Sequence, residues 1–137
     1  MIEYTVIGKF ALDEASKISD WVQFVLDQEE KELGELNYIF CDDDYLHDIN
    51  LKELKHNTLT DIISFDYTIG TVVSGDIYIS YERVRENASN LSVAFKDELH
   101  RVMIHGILHY CGYNDKEEED KTMMRSKEDY YLSLRTF

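Results

Sequence analysis

The sequence predicts an α+β fold in which a mixed four-stranded sheet packs against helices. Four short runs rich in β-branched and aromatic residues predict the strands, at residues 2–7, 36–41, 61–67 and 75–80. Longer stretches between and after these runs place apolar residues at helical spacing. No glycine-rich phosphate-binding loop follows a strand, so the pattern differs from that of a βαβ nucleotide-binding fold.

The length and composition are those of one globular domain. The 137 residues are 44% hydrophobic and 31% charged, which is enough apolar material to bury a core without disulfide bonds. We therefore expect a single domain over residues 1–137. No apolar run approaches the length of a membrane span, and the N-terminus lacks the basic and then apolar start of a signal peptide. The expected location is the cytoplasm, with no membrane partner.

The elements of the first half follow from capping and periodicity. Asp13 is predicted to cap a long helix that ends at Gly34. The apolar face of this helix consists of Ile18, Val22, Val25 and Leu26. Acidic residues 42–44 open a short helix that runs through Asn50, and we attribute them to the helix dipole rather than to a metal site. Residues 52–60 are polar without a period and predict a loop.

The second half begins with the two strands that Gly70 is predicted to join. Three helical patterns follow, at residues 81–88, 93–110 and 118–132. In the second of these helices, His100 lies on nearly the opposite face from His109. We therefore expect His100 to be exposed to solvent.

Residues 101–115 carry the clearest chemical signal. His105 and His109 are four residues apart, so on a helix they differ by about 40° around the axis and can bind one ion between them. Gly112 can adopt a positive φ and end the helix, and Asp115 can then return a carboxylate as a third ligand. Two imidazoles and one carboxylate with an open fourth position are typical of a catalytic zinc site. The pattern predicts a zincin-like metal helix with one Zn²⁺ per chain, although a chance pair of surface histidines is a common alternative.

Together with two upstream motifs, this stretch resembles the YbeY family of bacterial metal-dependent endoribonucleases. The family signature His-Gly-x-Leu-His-x-x-Gly-Tyr-Asp-His appears at residues 105–115 as His-Gly-Ile-Leu-His-Tyr-Cys-Gly-Tyr-Asn-Asp. The family's Leu-Asn resembles residues 49–50, and its Thr-Asp-Val-Leu-Ser-Phe resembles residues 60–65. Its Gly-Asp-Ile matches residues 75–77. The resemblance covers roughly residues 43–132.

The resemblance implies a function and a set of partners. Members of this family are hydrolases that cleave single-stranded RNA in rRNA processing and ribosome maturation. We therefore expect single-stranded rRNA as the substrate, with a ribosomal protein or the small ribosomal subunit as a further partner. The formal net charge of −14, from 14 basic and 28 acidic residues, restricts RNA contacts to local groups, because phosphate binding depends on Lys and Arg.

The sequence departs from the family pattern at two positions. Asp115 stands where the family has a third histidine, and a carboxylate there lowers the positive charge of the site and makes the metal a weaker Lewis acid. Leu54 stands where the family has an arginine. Lys52, Lys55 and Arg101 are the cations that we predict to contact RNA phosphates in its place, and His56 beside the two lysines is a further candidate.

Two alternative functions remain open at this stage. A zinc peptidase is disfavoured because Gly106 stands where a zincin carries the glutamate that acts as general base. A ribosome-assembly binding factor with a mainly structural metal is favoured by the net charge and by the missing arginine.

Four further residues are candidates for supporting the site. Ser64 and Asp76 lie on neighbouring predicted strands and are expected to hold the histidines, to hold the substrate or to make an ordinary structural hydrogen bond. Met123 and Met124 are candidates for a floor beneath the metal, with at least one of them expected in the core. The sequence identifies no catalytic base.

Overall fold

The structure, a computed structural model, describes residues 1–56 and 58–137. Within these residues the strands are β1 (Ile2–Val6), β2 (Glu32–Cys41), β3 (Ile62–Asp66) and β4 (Val72–Ser80). The helices are α1 (Ala15–Gln28), α2 (Asp43–Leu54), α3 (Tyr81–Leu91), α4 (Phe95–Tyr110) and α5 (Glu118–Ser133). The predicted α+β class is confirmed. No helix in the described part of the chain has the length and apolar character needed to cross a membrane.

The sheet is mixed, as predicted, with the strand order β1-β2-β4-β3. β1 and β4 both run parallel to β2, whereas β3 runs antiparallel to β4. Along β4, fully buried side chains alternate with partly exposed ones, and Val73, Ile77 and Ile79 lie on the buried face. This alternation indicates that the strand packs one face against the main core.

The main core lies between this face of the sheet and helices α1, α4 and α5. Two buried aromatic side chains connect these layers through hydrogen bonds. The hydroxyl of Tyr38 on β2 donates to the Met103 carbonyl of α4 at 3.0 Å. The indole Nε1 of Trp21 on α1 donates to the Tyr131 carbonyl of α5 at 2.9 Å. Because each aromatic buries its polar atom with a partner, the hydrogen bond compensates the desolvation of that atom while the ring contributes apolar area.

Helix α4 approaches the sheet closely at Gly106. A Cβ at this position would lie 3.1 Å from Cδ1 of Ile77 and 3.2 Å from Cδ1 of Ile62. Either distance is tighter than ordinary van der Waals contact, so a larger residue would require these isoleucine side chains or α4 to shift. The glycine therefore determines how deeply α4, and with it His105, lies in the fold.

Helix α1 has different ends from those predicted. Asp13 does not cap it; the residue before the helix is Glu14, which has a φ of 61° and makes no side-chain capping bond. The helix ends at Gln28, and the chain turns through Glu30, which has a φ of 59°. Gly34 therefore lies inside β2 rather than at the helix end. Non-glycine residues with positive φ make both turns, which is why glycine and aspartate were misleading signals here.

Helix α2 begins as predicted and extends further. The Asp42 carboxylate accepts from the backbone N–H of Tyr45 at 2.8 Å, so the acidic run acts as a cap and as first-turn charge. The helix continues to Leu54, so the loop predicted at residues 52–60 is wrong for its first three residues. Asn57, in the same predicted loop, lies outside the described residues.

The prediction that His100 is exposed is wrong. Its exposed fraction is 2%, and its ring lies between those of Trp21 and Phe137. Burial lowers the pKa of His100 to about 4, and Nδ1 accepts from Nη1 of Arg135 at 2.6 Å. The prediction assumed that α4 buries a single face. In the structure α1 and the C-terminal residues cover the opposite face as well.

Candidate metal centre

Helix α4 and the turn after it bring the three predicted ligands together. His105 and His109 lie one turn apart with their Nε2 atoms 2.9 Å from each other. After the helix, Gly112 has a φ of 105° and its N–H donates to the His109 carbonyl at 3.0 Å. The chain then reverses, and Oδ2 of Asp115 lies 3.2 Å from Nε2 of each histidine. The positive φ predicted at Gly112 is confirmed.

The geometry of these atoms fits a shared divalent cation. Ligand atoms bound to one tetrahedral zinc ion lie about 3.3 Å apart, since zinc–nitrogen distances are about 2.0–2.1 Å. The three atoms already lie at comparable separations, and all are within 4.8 Å of one another. All three side chains are partly exposed, so one side of the site is open to solvent. A site with an accessible side is the kind that catalytic rather than structural zinc uses.

Glu128 of α5 orients the first histidine. Its exposed fraction is 4%, and its Oε2 lies 2.7 Å from Nδ1 of His105. An ionised carboxylate only accepts, so Nδ1 carries the proton and the Nε2 lone pair points toward Asp115. Burial by itself lowers the pKa of His105, but the hydrogen bond and the charge of Glu128 together raise it above its usual value. Nη1 of Arg101 donates to Oε1 of Glu128 at 2.9 Å and completes the arrangement.

The sequence prediction missed Glu128, although a signal was present. Met124, Glu128 and Tyr131 follow one another at spacings of four and three residues, and all are buried. An acidic residue inside such an apolar stripe is unusual, because burying an unpaired carboxylate is costly. Its position therefore indicates a partner that compensates the charge, and the structure identifies His105 and Arg101 as the partners.

The strand residues proposed to hold the histidines do not do so. Asp76 accepts from Nδ2 of Asn37 at 2.9 Å, on the face of β4 opposite to Ile77. Since Ile77 packs against α4, Asp76 points away from the metal helix. Ser64 is exposed on β3. Asp76 thus has the structural hydrogen bond that was the simpler expectation, and the Ser64 side chain makes one with Tyr110.

A cavity of about 320 Å³ lies beside His105 and Asp115. Side chains of three kinds line the rest of it. The carboxyl groups are Asp61, Glu98 and Glu128, the apolar side chains are Ile62, Val102 and Met124, and the cations are Arg101, Lys121 and Arg125. Met124 is also part of the core, which confirms the expectation for one of the two methionines, whereas Met123 is exposed.

The three predicted RNA-contacting cations lie in two places. Arg101 lines the cavity, as described above. Lys52 lies in the last turn of α2, where its Nζ pairs with Oδ2 of Asp48 at 3.0 Å. Lys55 follows Leu54 at the end of the same helix. Neither Lys52 nor Lys55 is among the described residues that line this cavity. Their contact with RNA stays a prediction.

The chain matches a family model described as Endoribonuclease YbeY over residues 8–135. A protein named Endoribonuclease YbeY from Flavobacterium johnsoniae is 54% identical over 134 residues, which cover 98% of this chain and 96% of that protein. The protein of the same name from Flavobacterium psychrophilum is 55% identical with the same coverage.

A solved structure agrees with the fold. The solution structure of TM1509 from Thermotoga maritima superposes with a TM-score of 0.70 at 27% identity, and the match covers 97% of this chain and 87% of that protein. Three observations point to the same family. They are the sequence motifs, the clustered histidines and aspartate, and the relatives that are more than half identical over nearly the whole chain. The chain belongs to the Endoribonuclease YbeY family.

Proposed function

We infer that the chain, like its relatives, is an endoribonuclease and therefore a hydrolase that acts on RNA, and we propose that it cleaves single-stranded rRNA during ribosome maturation. The observation that carries this proposal is the convergence of His105, His109 and Asp115 at one point, where His105 and Asp115 also line an open cavity. A catalytic metal site needs such an accessible position, because water and substrate must both reach it.

We propose that one Zn²⁺ ion per chain occupies this site. A divalent ion bound there would polarise a phosphoryl oxygen and lower the pKa of bound water toward about 7. The residues of the chain prepare the site for it. Glu128 holds His105 in the tautomer that presents Nε2, and Asp115 adds one negative charge. That charge keeps the site less positive than three histidines would, so we expect a moderate rather than a strong Lewis acid.

RNA has to approach this site through local contacts. At a net charge of −14 the averaged field of the protein repels a polyanion, but salt screens that field beyond about 8 Å under physiological conditions. We propose that Arg101, Lys52 and Lys55 contact phosphates and that Lys121 and Arg125, two exposed cations at the cavity, add to them. A ribosomal protein or the small ribosomal subunit would then deliver the substrate.

The structure adds an argument against the peptidase alternative. A zincin carries its general-base glutamate at the position of Gly106. Here a side chain at that position would run into Ile77 and Ile62 of the sheet instead of pointing toward the ion site. The site therefore offers no proton acceptor at the place where zinc peptidases have one.

The substrate class is tested by offering the zinc-loaded protein three substrates. We expect it to cleave a single-stranded RNA, to cleave the same RNA much more slowly when annealed to its complement, and to leave an unstructured peptide intact. Bases in a single strand can be splayed apart and its backbone reached, which a duplex prevents. Gel analysis of end-labelled RNA and mass spectrometry of the peptide give the rates.

The double variant His105→Ala/His109→Ala is the control for contaminating ribonucleases. A peptide cut faster than RNA would favour the peptidase. Tight RNA binding without any cleavage would favour the assembly factor with a structural metal.

A further inference from the structure

Glu98 is a carboxyl group that faces the cavity containing His105. It lies in the first turn of α4 with an exposed fraction of 7%, and within residues 1–56 and 58–137 its side chain makes no hydrogen bond or close ion pair. Its oxygens are not among the fully buried polar atoms that lack a partner, so they are open to the cavity. Burial and the nearby Asp61 charge raise the pKa of Glu98, and the charges of Arg101 and Arg125 partly offset this effect. The carboxyl group is therefore accessible to a ligand in the cavity and has no hydrogen bond that a ligand would have to break.

The position of Glu98 connects it to the metal centre. Glu98, Val102 and His105 follow one another at spacings of four and three residues on α4, and all three line the cavity. The cavity therefore runs along α4 for two helical turns, about 10 Å along the helix axis. One end lies at the candidate metal site and the other at the Glu98 carboxyl group.

The walls between these ends suit a flat, apolar ring. Ile62 comes from β3, Val102 from α4 and Met124 from α5, so apolar side chains line the cavity from three elements. Lys121 and Arg125 lie at the rim, where a phosphate attached to such a ring would lie. Proteins that take up a base outside a duplex hold it between aromatic or apolar side chains and read its Watson–Crick edge through hydrogen bonds.

The chemistry of the carboxyl group selects among the bases. An ionised carboxylate has two oxygens that accept and no donor, so it pairs best with two adjacent N–H groups. Guanine presents such a pair on its Watson–Crick edge, at N1 and at the amino group of N2. Cytosine and adenine present an amino group beside an accepting nitrogen, and uracil presents one N–H between two carbonyls.

We propose that the cavity between His105 and Glu98 binds a guanine base next to the scissile phosphate, with the Glu98 carboxylate accepting from the Watson–Crick edge of the base. This specificity site rests on the proposed cleavage of RNA at His105, His109 and Asp115. Glu98 is a recognition residue in it, and the metal ligands do not depend on it.

The alternative is that Glu98 serves only α4 itself. Acidic residues in a first turn stabilise a helix through its dipole, and Asp97 lies in the same turn. Asp97 is exposed and pairs with Arg135 at 2.9 Å, away from the cavity. Asp97→Asn is therefore a matched control, since it removes a first-turn charge without touching the proposed site.

The test compares U-rich single-stranded RNAs that differ in one central base. We expect the wild-type protein to cleave next to guanine faster than next to adenine, cytosine or uracil by about tenfold or more, because a bidentate base contact discriminates on that order. Glu98→Gln keeps the shape but offers only one acceptor, so we expect the guanine preference to fall severalfold with zinc content unchanged. Asp97→Asn should keep the wild-type preference.

The same site can be tested without any cleavage. Calorimetry measures the affinity of the zinc-loaded protein for the nucleotide GMP and for UMP. We expect the wild type to bind GMP more tightly than UMP. We expect Glu98→Gln to bind both nucleotides weakly and with similar affinity. If no RNA is cleaved but GMP binds in this pattern, the proposed function fails and the base site stands. An identical base profile in wild type and Glu98→Gln, or equal binding of GMP and UMP by the wild type, would overturn the base site.

Discussion

Replacing His109 with alanine is expected to lower the affinity for zinc by more than about 100-fold, so that the purified protein retains almost no metal. The reason is that His105 and Asp115 alone leave the ion with two protein ligands instead of three. Cleavage of RNA by this variant should fall to background together with the loss of zinc. The side chain of His109 is partly exposed, so the fold should remain intact.

Metal content per chain, measured by mass spectrometry after dialysis, checks this prediction. His56→Ala is the matched control, because His56 is an exposed histidine outside the site. That variant should carry as much zinc as the wild type. Stoichiometric zinc in His109→Ala would mean that the ion lies elsewhere.

Replacing Glu128 with glutamine is expected to weaken zinc binding by about 10- to 100-fold, the usual effect of removing a carboxylate that holds a metal-binding histidine. The neutral amide accepts more weakly than the carboxylate and no longer fixes the proton on Nδ1 of His105. It also leaves Arg101 paired with Asp129 alone, at 2.6 Å.

Competition with a chelator of known affinity gives the dissociation constants for this comparison. Asp129→Asn provides the control, since Asp129 binds the same arginine but makes no contact with His105 among the described interactions. That variant should bind zinc as the wild type does. Equal affinities for wild type and Glu128→Gln would show that Glu128 has no part in orienting the histidine.

Local sequence patterns were sufficient to predict the strands of the sheet and the three candidate ligands. The period of two along β4 and the four-residue spacing of His105 and His109 are properties of a single element. Asp115 could also be predicted, because a glycine with positive φ reverses the chain within a few residues of the helix end.

Features that depend on contacts between distant elements could not be predicted in the same way. Glu128 reaches His105 only because α5 packs across α4, and His100 is buried only because α1 and the C-terminal residues close over it. The pairing of Arg101 with two carboxylates of α5 has the same origin. His100 and Arg101 look like surface residues when their own helix is considered alone, and the apolar stripe of α5 indicates that Glu128 is buried without identifying its partner.

Metal-dependent cleavage of RNA is tested most directly by the rate at which one preparation cleaves a single-stranded RNA before metal removal, after removal by a chelator, and after zinc is restored. We expect cleavage at the start, loss of cleavage in the stripped protein, and recovery when about one equivalent of zinc per chain has been added. The double variant His105→Ala/His109→Ala, treated identically, should show no zinc-dependent recovery. Unchanged cleavage by the stripped protein would contradict the account, because the reaction would then need no ion at His105, His109 and Asp115.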